Sequence, residues 1–146
     1  QIVIPLSGLG YTYYSNDIIG RKQFWKTYIS SLSLTYILKY TIKKERPNGH
    51  CCESFPSGHT SAAFAGAMFI NNRYGSKFGI PAIFLASFVG YSRVYAEKHY
   101  WEDVLAGSLI SVIAGLFYTT NKNLDNNNLS LFLNPLNNKV IVRIKI

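Results

Sequence analysis

Two histidines, three cations and one carboxylate stand at spacings that suit an oxyanion. In Ser92-Arg93-x5-His99-x3-Asp103 the last two residues are four apart, so on a helix or its first turn they can touch. A carboxylate there fixes one imidazole tautomer and leaves the other nitrogen as a lone-pair nucleophile. Arg93 adds a planar fork that can hold two phosphate oxygens. In Pro56-Ser57-Gly58-His59 the chain opens a helix, whose free N–H groups and dipole favour an anion. Gly58 lets the backbone approach phosphate oxygens, Ser57 can donate a hydroxyl, and His59 stands one step inside. In Lys39-x6-Arg46-Pro47 two more cations can grip a dianion. In-line displacement needs a nucleophile on one side, an acid on the other and cations around the equator. The remaining acids, Asp17, Glu45, Glu53, Glu97, Glu102 and Asp125, are scattered and make no cluster for Mg²⁺ or Zn²⁺. Charge stabilisation then falls to Lys and Arg, and no metal ligand or cofactor is assigned.

Helices must position these groups. Residues 1–16 are apolar and read as a first helix, with Pro5 tolerated in its first turn and Asp17 as a cap or turn. Residues 21–46 read as a long helix with apolar Phe24, Tyr28, Leu32 and Tyr36. Lys39 and Arg46, nearly two turns apart, then project from one face, and Pro47 ends the helix. Residues 48–55 form a loop. Ser57 caps the next helix, with residues 62–70 as its apolar body. A polar connection is expected over residues 71–79, a buried helix over 80–96, a short turn with Lys98, and a last strong helix over 101–119. Residues 121–128 read as a polar loop. The tail, residues 139–146, ends VIVRIKI and can form a short strand, although no partner strand is visible. The fold expected is all-α: one compact bundle of about five to six helices over residues 1–146, core 1–120, with the site between helices.

Composition narrows the class. Hydrophobic residues make up 48% and charged residues 15%, too apolar a mix for disorder. A net charge of +8 fits a basic surface, attraction to phosphorylated substrates or contact with an anionic membrane face. Nucleic acid is not expected, since no zinc-finger spacing, RNP-like aromatics or basic stripe occurs. Cys51 and Cys52 are adjacent, which disfavours a disulfide, and their spacing is wrong for zinc, so they read as loop thiols. The longest uncharged apolar stretch, residues 104–120, has 17 residues, short of the ~20 that span a bilayer. With a mean hydropathy of +0.06, this favours a soluble domain, at most resting on a membrane surface. The chain opens QIVIPLSG, without a basic leader or Met, and reads as a mature or trimmed product.

The three stretches together resemble the type 2 phosphatidic acid phosphatase (PAP2) superfamily, which also holds bacterial acid phosphatases and vanadium-dependent haloperoxidases. Every signature position is present: Lys39, Arg46, Pro47, Pro56, Ser57, Gly58, His59, Ser92, Arg93, His99 and Asp103. The resemblance implies that His99 attacks phosphorus to form a phosphohistidine and that Asp103 orients it. It implies that Lys39, Arg46, Arg93, Ser57 and Gly58 bind phosphate oxygens. His59 would protonate the leaving oxygen and then activate water. Vanadate would inhibit as a transition-state mimic. A phosphorylated small molecule is the preferred substrate, ahead of a lipid headgroup; a haloperoxidase and a non-catalytic phosphate- or lipid-binding module are the alternatives. The resemblance and the apparently trimmed start imply an extracytoplasmic, periplasmic location. Oligomeric state is left open.

Overall fold

The computed structural model describes residues 1–126, 129–134 and 139–144. Five long helices form the body: α1 (Val3–Tyr14), α2 (Ile18–Ile42), α3 (Gly58–Tyr74), α4 (Ser76–Tyr95) and α5 (Trp101–Tyr118). A short α6 (Lys122–Asn126) and a two-stranded hairpin, β1 (Leu129–Asn134) and β2 (Lys139–Ile144), follow. The tail strand thus has a partner, with Leu129 opposite Ile144 in antiparallel register. The last residues of the expected strand, 145–146, and residues 127–128 of the polar loop lie outside the described residues.

Helix boundaries follow local chemistry. The Asp17 carboxylate accepts the Gly20 N–H at 2.8 Å and starts α2. Ser57 caps α3, accepting the Thr60 hydroxyl at 2.9 Å. Two expectations change. Lys43 turns left-handed (φ 47°) and ends α2 at Ile42, ahead of Pro47. Arg46 therefore leaves the helix and shares no face with Lys39. It sits in a folded-back loop where Ser54 N–H donates to the Lys44 carbonyl (2.8 Å) and Arg46 N–H to that of His50 (3.1 Å). The polar connection over 71–79 is also absent: Gly75 alone (φ +88°) separates α3 from α4. Cys51 and Cys52 lie in the loop between α2 and α3.

Helix α3 is the hub, packed on by the other four long helices. It buries Ala62, Ala63, Ala65, Gly66, Ala67, Phe69 and Ile70. The surrounding helices face it with small residues: Gly20, Thr27, Ser31 and Thr35 on α2, Gly79, Ala82, Ala86 and Gly90 on α4, Gly107, Ser111, Ala114 and Gly115 on α5. Buried hydroxyls join the helices, Thr35 to Ser61 at 2.9 Å, Ser61 to Ser111 at 3.1 Å and Thr27 to Thr119 at 3.0 Å.

The large apolar side chains point outward. On α4 these are Ile80, Phe84, Leu85, Phe88 and Tyr91; on α5 they are Trp101, Leu105, Leu109, Ile113, Leu116 and Phe117. The expectation of a buried helix over residues 80–96 therefore fails. Small residues let the backbones approach, so only a narrow stripe of each helix is covered and its bulk is displaced outward. Ser76–Tyr95 and Trp101–Leu124 are each long and apolar enough to cross a membrane.

Candidate active site

Four chain segments meet at one end of the bundle: the end of α2 with its loop, the start of α3, the end of α4, and the turn into α5. Lys39, in the last turn of α2, is buried and donates from Nζ to the Glu53 carbonyl at 2.6 Å. Arg46 follows in the loop, and Arg93 occupies the last turn of α4. The Nε atoms of both arginines are buried with no hydrogen-bond partner. Arg21 Nε, outside the site, is likewise unpartnered, but among the described residues only here do two such buried Nε donors share one site, which suits acceptor oxygens.

Ser57 is fully buried, and its N–H donates to the Asp103 carbonyl at 2.9 Å, which ties α3 to α5. A side chain on Gly58 would meet nothing nearer than the Tyr36 hydroxyl at 4.0 Å, so the backbone at the start of α3 is open to a ligand. His59 is exposed on the next position. The charges of Arg93, Arg46 and Lys39 all act on its ring, and those of Lys39 and Arg46 also act on His99. All three sequence stretches thus converge.

His99 lies in the turn between α4 and α5 and is 3% exposed. Its Nδ1 is 2.7 Å from the Ser54 carbonyl and 3.7 Å from the Asp103 carboxylate. A carbonyl can only accept, so Nδ1 carries the proton and Nε2 keeps the lone pair. Burial pushes the imidazole down to about 4; the Lys39 and Arg46 charges add to this, while the Ser54 carbonyl and the Asp103 carboxylate oppose it. His99 is neutral near pH 7.

Asp103 touches His99 less directly than its i, i+4 spacing suggests. Its Oδ2 accepts the Ser54 hydroxyl and the Tyr100 N–H (2.8 Å), and its Oδ1 accepts Lys44 Nζ at 2.9 Å. Lys44 also pairs with Glu102. Burial disfavours its charge, but the bonds it donates to Glu102 and Asp103 prevail and raise its pKa. Ser54 and Lys44 were not legible as site residues. Ser54 acts partly through its backbone carbonyl, which no residue type encodes, and Lys44 is one of two adjacent lysines between Lys39 and Arg46.

Among the described residues no group of three His, Cys, Asp or Glu side chains converges as a metal site. A cavity of about 320 Å³ lies elsewhere, between α1, the end of α3 and the start of α4, lined by Ile4, Tyr11, Ile70 and Phe78 among others.

The chain is similar to several known proteins. It is 32% identical over 123 residues to the lipid A 1-phosphatase of Porphyromonas gingivalis, an alignment covering 77% of this chain and 26% of that protein. It is 45% identical over 64 residues to the lipid A 4'-phosphatase of Helicobacter pylori, covering 42% of this chain and 32% of that one. With undecaprenyl-diphosphatase BcrC of Bacillus subtilis it shares 31% identity over 104 residues, 63% of this chain and 52% of the relative. The chain thus spans between about a quarter and a half of the length of these relatives. The crystal structure of Aquifex aeolicus LpxE superposes with a TM-score of 0.64 at 24% identity, over 79% of this chain and 80% of that one, and bears on the fold alone. The PAP2 superfamily model matches residues 23–125, a stretch that contains every residue gathered at the site, and the chain belongs to that superfamily.

Proposed function

We propose that this chain hydrolyses a phosphate monoester or diphosphate carried on a lipid, at a membrane surface, through a covalent phosphohistidine on His99. The observation that carries the reading is the neutral, buried His99, with Nδ1 held by the Ser54 carbonyl, in a site where Arg46 and Arg93 keep unsatisfied donors. In the first step Nε2 attacks phosphorus and the bond to the leaving oxygen breaks. His59 gives that oxygen its proton, and the charge gained by His99 is balanced by Asp103. In the second step water attacks phosphorus, His59 takes its proton, and the P–N bond breaks to release phosphate. Lys39, Arg46, Arg93, Ser57 and the Gly58 N–H hold the equatorial oxygens. No metal takes part in this scheme.

A lipid substrate is favoured over a soluble one by the outward-facing apolar side chains of α4 and α5. Patches of that extent mark contact with an apolar phase. The named activities of the relatives, lipid A phosphatases and an undecaprenyl-diphosphatase, point the same way. On this reading α4 and α5 lie in the bilayer, and the aromatic cluster Tyr91, Tyr95 and Trp101 sits at headgroup level beside the site. We place that face on the extracytoplasmic side.

The test uses the purified chain in detergent with excess EDTA. Expected are turnover of a lipid phosphate in mixed micelles exceeding that of p-nitrophenyl phosphate, inhibition by vanadate, an acid-labile phosphoenzyme, and loss of both turnover and label in His99→Ala. Unchanged turnover in a folded His99→Ala would overturn the mechanism; a strict need for added metal would overturn the metal-free scheme.

A further inference from the structure

Lys44 lies just past the end of α2, between Lys39 and Arg46, and contacts the site in two ways. Its backbone carbonyl accepts the Ser54 N–H at 2.8 Å, and the Ser54 carbonyl in turn holds His99 Nδ1 at 2.7 Å. Its ammonium donates to Asp103 Oδ1 at 2.9 Å, while the Ser54 hydroxyl donates to Asp103 Oδ2. Lys44, Ser54 and Asp103 close a ring of hydrogen bonds behind the histidine. The ammonium is held there by Glu102 and by the face of Tyr100, whose ring centroid is 4.3 Å away.

Electrostatics gives the ring a purpose. Asp103 is fully buried and 3.7 Å from His99. A carboxylate so placed, with nothing to balance it, draws a proton onto the His99–Asp103 pair and consumes the lone pair needed for attack. The other charges acting on His99 are those of Lys39 and Arg46. Lys39 also feels the Asp103 charge, but its ammonium donates to the Glu53 carbonyl and not to the carboxylate, and Arg46 keeps a free Nε donor. Lys44 is the cation bonded to the carboxylate itself.

We propose that Lys44 is a positioning residue whose charge balances Asp103, so that His99 rests unprotonated and the carboxylate is held for the cation formed on attack. The inference rests on His99 being the nucleophile, as proposed above. Lys44 touches neither the reacting atoms nor the substrate in this scheme. Its effect reaches the reaction through Asp103 and Ser54.

The experiment is the pH profile of kcat/KM, from about pH 4 to pH 8, for the full chain in detergent micelles with a short-chain phosphatidate. Wild type, Lys44→Met, Lys44→Arg and His99→Ala are compared. In Lys44→Met the acid limb should move up by about one to two pH units, with a loss of roughly two- to tenfold near pH 5 and almost none near pH 8. Lys44→Arg should restore the wild-type profile. Substrate ionisation is common to every variant and cancels in the comparison. If Lys44→Met does not fold by thermal melt, Lys44→Gln, which keeps a donor without the charge, carries the same expectation. A Lys44→Met limb superimposable on wild type overturns the inference, as does an equal shift in Lys44→Arg. A wild type inactive on phosphate esters, or a His99→Ala with normal turnover, instead overturns the phosphatase reading on which it stands.

Discussion

At the residue scale the site depends on keeping one imidazole neutral without starving it of hydrogen bonds. The Ser54 carbonyl supplies the hydrogen bond, holding Nδ1–H without adding a charge, although that bond by itself favours the protonated ring. Burial does the rest, setting the folded value near 4 against an ordinary value of 6.5. The consequence for stability has a definite sign. Between these values the unfolded chain binds a proton that the folded chain refuses, so the contribution of His99 is fully present above about pH 6.5 and is lost as pH falls toward 4. Thermal melts in micelles should therefore show His99→Gln losing less stability than wild type when pH drops across that window. Equal slopes would place the acid sensitivity elsewhere. All the cationic and histidine side chains singled out from their spacings meet at one end of the bundle. His99 and Asp103 do approach across their four-residue spacing, at 3.7 Å, and the fold sets Ser54 beside them with its hydroxyl on the carboxylate.

At the scale of elements, helices approach closely enough to share a site because glycines stand where they touch. A Cβ on Gly107 of α5 would lie 2.6 Å from the Ser57 carbonyl, on the turn that opens α3. A Cβ on Gly66 would lie 2.6 Å from the backbone of Pro5 in α1, where α1 rather than the site would have to move. Both substitutions to Ala overpack an interface and should cost roughly 1–3 kcal/mol, read as a lower Tm. Their effects on activity should differ. Gly107→Ala moves Ser57 and Asp103 apart, whose backbones are bonded at 2.9 Å, and should lower kcat at a temperature where the protein is folded. Gly66→Ala should lower Tm with kcat nearly unchanged. Equal kcat values would show that the site tolerates movement of α5. The end of α2 could not be read in advance because a left-handed Lys43 carries no strong signal, whereas Pro47 does.

At the scale of the whole molecule the two ends of the bundle have different tasks. One end holds the candidate active site. The other is closed by a buried ion pair, in which Arg73 donates to Asp17 at 2.7 and 2.8 Å and Tyr74 adds a further bond to the same carboxylate. Burial alone would raise Asp17, but its bonds to Arg73 and Gly20 hold it at about 2, so the pair stays ionised at any ordinary pH. Asp17→Asn removes the carboxylate that balances the Arg73 charge and should cost about 3–5 kcal/mol in chemical unfolding. Arg73 is fourteen residues from His59 along α3, roughly 20 Å at the helical rise, so turnover per folded molecule should stay near wild type. A large loss of kcat in folded protein would mean that the ends are coupled. Between the ends, small residues face inward and large apolar ones outward, the distribution expected where lipid rather than water surrounds the helices.

The sequence by itself determined the helical class, the caps at Asp17 and Ser57, and the identity of the cations and histidines. These rest on local chemistry: side-chain type, spacing along a helix and the few residues that start or stop one. Only the tertiary structure decided which backbone carbonyl faces His99, that Lys44 bonds the Asp103 carboxylate, and that Arg46 stands off the helix. It also decided which face of each apolar helix is covered. In α4 the covered stripe is Gly79, Ala82, Ala86 and Gly90, and the phenylalanines turn outward. Apolar periodicity assigns large residues to a core in water, and that rule inverts when the packing partner requires close backbones and the surroundings are apolar.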